Sequence, residues 1–253
     1  MSVSQFKNFQ KCEAAAMAEL NGTYVPERGR ALLLGSYVDE MLTGTKESQD
    51  QFVEENRAEL FKRNGDPYAD VAQANEAIKR VQSQPLMMQF LSGEHQVIMT
   101  GEIAGVLFKI KMDSYKPGEF IADLKFLKSL RSPNLFENVI DYWKYTTQMA
   151  VYQEIVRQNI GEQLPCYIVA VTKESPARIT VCEIDQFTLD NALDEVKKLA
   201  PRFQRMKNGE IEPERCEAYD CDYCAQTTVL VAPVPYETIA MSASQIKAMR
   251  GEI

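Results

Sequence analysis

In the first third of the chain, apolar positions recur every three or four residues, which is the spacing of amphipathic helices. Ser2 or Ser4 can cap a first helix that continues to about residue 20, and a second helix is predicted over residues 28–42. Residues 46–91 are more polar and are broken by turn signals, so we expect several short helices there. This part of the chain is therefore predicted to be helical.

Between residues 95 and 126 the apolar pattern shortens to the alternation of β-strands. Three runs, HQVIMTGEI, GVLFKIKMDSY and FIADLKF, are predicted to form consecutive strands of one sheet. The Lys116-Pro117-Gly118 segment lies between the second and third runs and predicts a hairpin turn.

The second half of the chain combines helices with a further pair of strands. Residues 131–159 are predicted to be helical, PCYIVAVTKE and ARITVCEI are predicted to form a hairpin, and residues 187–207 a long amphipathic helix. This alternation predicts an α/β fold with a central mixed sheet flanked by helices. We expect one domain over residues 1–228, composed of a helical part (1–92), a sheet core (93–185) and a long helix with a cysteine-rich knot (186–228), followed by a C-terminal tail (229–253).

The composition is that of an ordinary globular protein, with 45% hydrophobic and 25% charged residues in 253. No apolar run approaches the roughly 18–20 residues needed to span a bilayer, and the first residues lack a signal-peptide pattern. We therefore expect a cytoplasmic protein with no membrane partner. The net charge of −8 argues against broad coating of DNA, so local basic patches matter more, although each could equally be a solvated face. The candidate patches are Lys109/Lys111, Lys125/Lys128/Arg131 and Lys197/Lys198/Arg202/Arg205, and a solvated face is the preferred interpretation of the last.

The predicted hairpin carries charged residues into apolar strands. Asp113 lies near the end of one run, and Asp123 and Lys125 lie inside the next. Burying carboxylates is costly unless something pairs with them, and a hard cation such as Mg²⁺ or Mn²⁺ is a natural partner. The lysine could then hold a water molecule or a phosphate beside the metal.

These residues resemble the signature of a known nuclease superfamily. Asp113 followed by Asp123-Leu124-Lys125 is similar to the PD-(D/E)XK motif, and the spacing of Gln148 and Tyr152 resembles the additional helix motif of its RecB-like exonuclease branch. The run from Gly35 to Asp39 and Glu40 resembles the first, helical motif. A single D…DxK pattern is common by chance, but these pieces in this order are much more specific.

The resemblance implies a restriction-endonuclease-like fold and a metal-dependent deoxyribonuclease, most simply an exonuclease of recombination or repair and of phage type. The implied partners are DNA and a recombinase or single-strand annealing protein. A non-catalytic nucleic-acid-binding protein of the same fold is the alternative. A more distant alternative is an unrelated cysteine-cluster protein.

The resemblance also assigns roles to individual residues. It implies that Lys125, Gln148 and Tyr152 assist catalysis, although Tyr152 could instead be a core residue. It implies that Gly35 allows a close approach of its helix to the sheet. The implied ligands of Mg²⁺ or Mn²⁺ are Asp39, Asp113, Asp123 and the backbone carbonyl of Leu124, with Glu40 as a substitute for Asp39. Apart from the resemblance, Trp143 and Tyr145 could stack on an unpaired base, although core packing explains Trp143 at least as well. His95 has no partner at ligand spacing and is assigned a structural role.

Six cysteines in a chain without a secretion signal indicate metal binding or buried thiols, not disulfides. Cys216, Cys221 and Cys224 are close enough in sequence to bind one ion, but a tetrahedral site or an iron–sulfur cluster needs a fourth ligand. Cys12 is the best candidate for that ligand, and core packing explains Cys166 and Cys182.

The surroundings of Cys12 carry a second resemblance. SVSQFKNFQKCEAA is similar to the N-terminal segment of RecB-like nucleases of the AddB type and of CRISPR-associated relatives. In those families one N-terminal and three C-terminal cysteines hold a [4Fe–4S] cluster. The spacing of Cys216, Cys221 and Cys224 departs from theirs, so Zn²⁺ in a four-cysteine site stays open as the alternative.

Overall fold

A computed structural model describes residues 1–27, 29–216, 221–229, 232–233, 235–238, 241 and 249. The predicted C-terminal tail lies mostly outside the described residues. The helices are α1 (Val3–Lys11), α2 (Glu13–Leu20), α3 (Arg30–Thr43), α4 (Lys46–Glu55), α5 (Arg57–Leu60), α6 (Ala69–Gln82), α7 (Pro85–Phe90), α8 (Val139–Tyr142), α9 (Tyr145–Ile160), α10 (Gln186–Lys207) and α11 (Asp222–Thr227). The strands are β1 (Val97–Ile103), β2 (Val106–Met112), β3 (Ser114–Lys116), β4 (Phe120–Leu127), β5 (Cys166–Thr172) and β6 (Ile179–Ile184).

The chain divides into two compact units. The first comprises Met1–Glu27, Ala104–Val106 and Lys198–Ile253, and the second comprises Arg28–Ile103 and Leu107–Lys197. Among the described residues, no helix is both long and apolar enough to cross a bilayer.

In the first unit, the predicted N-terminal helix is two helices. Ser2 caps α1 through a capping box with Gln5, since each side chain bonds the other residue's backbone N–H, at 3.1 and 3.2 Å. The prediction of one helix to residue 20 is wrong because Cys12 has an extended backbone and separates α1 from α2. The Cys12 sulfur then caps α2 by accepting from the Ala15 N–H at 3.5 Å.

The packing of the first unit joins its N-terminal helices to the end of α10. Phe6 and Phe9 both contact the Phe203 ring, with centroid distances of 5.2 and 5.1 Å. Beside them the Arg202 guanidinium donates to both carboxylate oxygens of Glu13, at 2.8 and 2.9 Å. Aromatic packing and a two-bond ion pair thus join segments that are distant in sequence.

The second unit contains a four-stranded mixed sheet in the order β3-β4-β5-β6. β3 and β4 form the predicted antiparallel hairpin, and β5 and β6 form another. β4 and β5 are parallel, so the chain must cross over between them, and α8 and α9 lie in this connection. The predicted α/β fold with a central mixed sheet flanked by helices is confirmed.

The prediction that residues 95–126 form a single sheet is wrong. β1 and β2 form a separate two-stranded sheet. Asp113 lies between the end of β2 and the start of β3 and separates the two strands. The physical reason is that the Asp113 carboxylate accepts a hydrogen bond from the Leu124 N–H at 3.1 Å. This backbone donor of β4 is therefore bonded to a side chain and not to the backbone of a neighbouring strand.

The prediction of continuous helix over residues 131–159 is also wrong. The chain is irregular until α8 begins after Asn138, whose side chain accepts from the backbone of Ile140 and Asp141. Local hydrogen bonds of Ser132 and Asn134 compete with helix formation in this segment.

The core of the second unit lies between the central strands and α3, α6 and α7. The central strand β5 is buried almost throughout, as expected for a strand covered on both faces. Ala122, Val169 and Val171 from the sheet pack with Val38 and Ala74 from these helices. This packing fixes β4 and α3, the two elements that carry the predicted carboxylates.

Candidate active site

The centre of the candidate site is a charged pair on β4. Asp123 and Lys125 are two residues apart, so their side chains leave the same face of the strand. Asp123 is only 1% exposed and its Oδ2 lies in ion-pair contact with the Lys125 ammonium. The Lys125 ammonium also lies over the Tyr145 ring, 4.9 Å from its centroid. A cation held between a carboxylate and an aromatic ring is thereby fixed in place.

Asp113 reaches the same place from the break between β2 and β3. Its Oδ2 accepts from the Leu124 N–H, which links it to the residue between Asp123 and Lys125. The Nδ1 atom of His95 lies 3.0 Å from the Asp113 backbone oxygen. His95 thus has a structural contact, as predicted, but the partner is a candidate ligand, which sequence spacing alone could not show.

Asp39 is supplied by α3. Thr43, one turn later, donates to Asp39 Oδ1 at 3.2 Å, and the Gln96 amide donates to Asp39 Oδ2 at 3.0 Å. Glu40, the predicted substitute, instead accepts a hydrogen bond from Ser48. Gln96 could not be found from the sequence, because it lies 57 residues from Asp39 and belongs to no motif.

The close approach predicted at Gly35 is not observed. A Cβ atom at Gly35 would meet no described atom within 4 Å, whereas one at Gly93 would lie 2.7 Å from Ser114 Oγ and from the Tyr115 backbone. A side chain at Gly93, which precedes the bridge between Glu94 and Tyr115, would therefore clash with the start of β3.

Gln148 and Tyr152 lie one turn apart on α9 and complete the site. The Gln148 amide donates to Asp123 Oδ1 at 2.6 Å and to the Tyr152 hydroxyl at 3.1 Å. The Tyr152 hydroxyl donates to the Lys111 carbonyl at 2.8 Å. Both side chains are therefore engaged with the protein itself, Gln148 with a candidate ligand and Tyr152 with β2.

Burial and mutual repulsion shape the electrostatics of the site. Burial, followed by the charges of Asp123 and Asp39, raises the pKa of Asp113 well above its usual range. Burial and the Asp123 charge raise the pKa of Asp39, against the hydrogen bonds from Thr43 and Gln96. Burial acts to lower the pKa of Lys125, but the charges of Asp123 and Asp113 outweigh it and raise that pKa. At Asp113 and Asp39 the neighbouring carboxylates therefore outweigh the opposing cation, which is Lys125 for Asp113 and Lys111 for Asp39.

This donor set fits a divalent cation. The charge of Asp123 raises the pKa of both Asp39 and Asp113, so the three carboxylates lie close together, and the Oδ2 atom of the buried Asp123 has the Lys125 ammonium as its ion-pair partner. Carboxylate oxygens are the ligands that Mg²⁺ and Mn²⁺ prefer. The structure brings Asp39, Asp113 and Asp123 together, while the Leu124 carbonyl stays a predicted ligand.

The aromatic residues near the site differ in exposure. Tyr145 is largely buried against Lys125, and burial raises its pKa. Trp143 is 47% exposed and packs edge-on against Tyr142 at 4.9 Å, so it is not a core residue.

A second candidate centre lies in the first unit. The sulfur atoms of Cys12, Cys216, Cys221 and Cys224 all lie within 4.8 Å of one another. The Cys12–Cys224 and Cys216–Cys221 sulfur distances are 3.6 and 3.4 Å. All four are free thiols, as a metal site requires.

The backbone supports two of these sulfurs. Cys12 accepts from the Ala15 N–H, and Cys221 accepts from the Cys224 N–H at 3.4 Å. Burial acts to raise the pKa of Cys12, but the Ala15 and Cys216 backbone hydrogen bonds and the neighbouring thiols lower it overall. By contrast, burial raises the pKa of Cys166 to about 12, and its thiol donates to backbone carbonyls in the core.

Comparisons with known proteins identify the family of this chain. The family model of a PDDEXK-like domain of unknown function (DUF3799) matches residues 2–227. The chain belongs to this PDDEXK-like family. The crystal structure of a candidate exonuclease from Eubacterium rectale is similar to this PDDEXK-like chain, with 40% sequence identity and a TM-score of 0.84. The match covers 100% of this chain and 93% of the exonuclease chain.

A second solved structure, that of SSO0001, is 15% identical, covers 92% of this chain and 98% of its own, and has a TM-score of 0.35, which is too low to inform the fold. No curated protein matches the chain.

Proposed function

We propose that this PDDEXK-like protein is a metal-dependent deoxyribonuclease that hydrolyses DNA phosphodiester bonds as an exonuclease. The observation that carries the proposal is the cluster of the partly buried Asp39 and Asp113 with the buried Asp123 beside Lys125. The likeness to a candidate exonuclease over the whole chain supports the same activity. A non-catalytic DNA-binding role is less well supported, because binding alone would not require a close cluster of carboxylates in which the pKa values of Asp39 and Asp113 are raised.

The carboxylates of Asp39, Asp113 and Asp123 would hold Mg²⁺ or Mn²⁺. When bound, such an ion offsets negative charge on a phosphodiester and makes water more acidic. The amides of Gln148 and Gln96 each fix one carboxylate oxygen without adding a charge that would compete with the ion. Their role is therefore to orient the ligands.

Lys125 would act on the substrate directly. Its ammonium stays protonated beside Asp123 and Asp113, and it is held in place by Tyr145. It can therefore donate to the attacking water or to the charge that develops on the phosphate. Tyr152 is not a suitable base, because its hydroxyl proton is used on the Lys111 carbonyl and burial raises its pKa.

The biological setting remains part of the proposal. Recombination or repair, a phage origin and a recombinase or single-strand annealing partner follow from the motif resemblance, and a cytoplasmic location follows from the apolar pattern of the sequence.

The four-cysteine centre is proposed to hold one Zn²⁺ ion. Zn–S bonds of about 2.3 Å in a tetrahedron place the sulfurs about 3.8 Å apart. The observed pairs at 3.4 and 3.6 Å, with all four within 4.8 Å, are close to that spacing. In a [4Fe–4S] cluster each sulfur binds a different iron, so the thiolates would have to lie further apart.

Cleavage of end-labelled single- and double-stranded DNA, with and without Mg²⁺, tests the proposed activity. We expect Asp123→Asn to abolish metal-dependent cleavage with the fold retained, since it removes a charge but little volume. Lys125→Ala should reduce turnover strongly with less effect on metal affinity. Asp50→Asn, at an exposed position on α4, is the control for loss of a carboxylate. Wild-type cleavage by Asp123→Asn would contradict the assignment.

A further inference from the structure

The connection from β4 to α8 ends in two exposed apolar side chains. Leu135 is 95% exposed and Phe136 is 96% exposed, the two highest values among the exposed large apolar residues described. We call these two residues the apolar tip, and residues 128–138 the tip loop. Adjacent apolar side chains presented wholly to solvent commonly mark a contact surface.

The tip loop has a defined local structure. The Ser132 hydroxyl accepts from the Asn134 N–H at 3.1 Å, and the Asn134 side chain accepts from the Phe136 N–H at 3.0 Å. The Asn134 amide also donates to the Glu137 carboxylate at 2.9 Å. These polar contacts hold the turn while leaving the apolar tip outside, so its exposure is built into the loop.

Residues of the candidate active site lie on both sides of the tip loop in sequence. On one side, β4 ends at Leu127, two residues after Lys125. On the other, α9 begins at Tyr145, whose ring faces the Lys125 ammonium at 4.9 Å. Phe136 is nine residues from each of these points. An extended chain of that length reaches at most about 30 Å, so the tip lies within reach of a strand bound at the site.

The first half of the tip loop is cationic. Lys128 and Arg131 are exposed, and neither forms an ion pair with any residue that the structure describes. Glu137 is the acidic residue next to the tip, and Asn134 already binds it. In an otherwise acidic protein, two free cations followed by an exposed aromatic ring are the combination that binds nucleic acid strands.

We infer that the tip loop is a DNA-contact surface, in which Lys128 and Arg131 bind phosphates and Phe136 stacks on an unpaired base. This inference rests on the proposed nuclease function and adds a substrate feature, an unpaired or opened strand at the site. A protein partner fits less well, because two side chains offer far less than the roughly 800 Å² per partner of a stable interface.

Binding of a fluorescent single-stranded oligonucleotide to the full chain tests the inference. All proteins carry Asp123→Asn, so that DNA is not degraded in the presence of Mg²⁺. Phe136→Ala should weaken binding about 5- to 150-fold, the loss of one base–aromatic stack worth about 1–3 kcal/mol, with the salt dependence unchanged. The double variant Lys128→Ala/Arg131→Ala should instead make the negative slope of log K against log salt shallower by about 1.4, which corresponds to two lost phosphate contacts on a single strand at about 0.7 each.

Phe187→Ala is the matched control, since Phe187 is 76% exposed on α10, outside the tip loop. It should bind DNA like the parent. Equal binding by Phe136→Ala and its parent, while the wild type cleaves DNA, would overturn the inference and leave the proposed function intact. If Phe136→Ala changes the self-association of the protein but not its DNA binding, the apolar tip is a protein contact, and the inference is overturned as well. No cleavage by the wild type and no DNA binding by the parent would overturn both.

Discussion

Asp113 shows at the scale of one residue how the candidate site opposes stability. Its carboxylate lies partly buried near Asp123 and Asp39, and loss of contact with water, followed by their charges, raises its pKa well above the usual range. A carboxyl group whose pKa is higher in the folded than in the unfolded state stabilises the fold only while it is protonated. That contribution is complete below about pH 4, the unfolded pKa, and is lost as pH rises through the folded pKa.

Asp113→Asn is therefore expected to stabilise the metal-free protein. The asparagine oxygen can still accept the Leu124 N–H, but the repelling charge is gone. The free energy of unfolding of the variant should equal that of the wild type near pH 4 and should exceed it increasingly as pH rises. Each additional kcal/mol should raise Tm by about 2–4 °C. Thermal unfolding in a chelator from pH 4 to pH 8 measures it.

The same variant should lose metal-dependent DNA cleavage, so that stability and activity change in opposite directions. Asp50→Asn, which removes an exposed carboxylate that pairs with Lys46, serves as the control and should gain no stability. A variant at Asp113 that is less stable than the wild type at pH 8 without metal would contradict this account of the site.

At the scale of elements, α3 and the approach to β1 together orient Asp39. Gln96 immediately precedes β1 and has a φ of 56°, in the left-handed region that residues other than glycine rarely adopt. This backbone directs its amide to Asp39 Oδ2 at 3.0 Å. Unfavourable backbone geometry at a residue that holds a candidate ligand is typical of functional sites.

Gln96→Gly removes the side-chain amide but allows the backbone to keep its positive φ. Glycine tolerates the positive φ, so stability should be unchanged or slightly higher. Loss of the amide should weaken metal binding about 10- to 100-fold, as for other residues that orient ligands. Calorimetric titration with Mn²⁺ measures the affinity, and Gln51→Ala on the exposed face of α4 is the control. Unchanged Mn²⁺ affinity would remove Gln96 from the site.

The elements also show what could be predicted from sequence. The hairpins and the long helix α10 were predictable because their turn residues and apolar periods act locally. The break at Cys12 and the division of the strands at Asp113 were not, because each depends on a side chain that replaces a backbone contact. The contacts of Gln96 with Asp39 and of His95 with Asp113 were not predictable either, because folding brings together residues that are distant in sequence.

At the scale of the whole molecule, the four-cysteine centre connects the two ends of the chain. Cys12 and Cys224 lie 212 residues apart in sequence, yet their sulfurs are 3.6 Å apart. An ion bound by both would close almost the entire chain into one loop, and closing a long loop removes much entropy from the unfolded state. Structural thiolate sites supply folding free energy directly. The centre should therefore contribute more to stability than its few contacts suggest.

Cys12→Ser is expected to lower the free energy of unfolding of the metal-loaded protein by several kcal/mol, because it removes one of four ligands. At about 2–4 °C per kcal/mol, the fall in Tm should reach about 10 °C or more. Cys182→Ser is the control, since Cys182 is a half-buried thiol on β6 outside the centre. It should cost only ordinary packing, about 1 kcal/mol.

Elemental analysis of the same preparations identifies the ion. We expect one zinc per chain in the wild type and in Cys182→Ser, and much less in Cys12→Ser, with no visible colour. Protein purified without oxygen that is brown and contains four iron atoms per chain would replace the zinc assignment with an iron–sulfur cluster, and the sulfurs would then have to move apart from their present spacing. If Cys12→Ser and Cys182→Ser lose equal stability and neither protein contains metal, the four thiols are only packed together, and the loop closure contributes nothing.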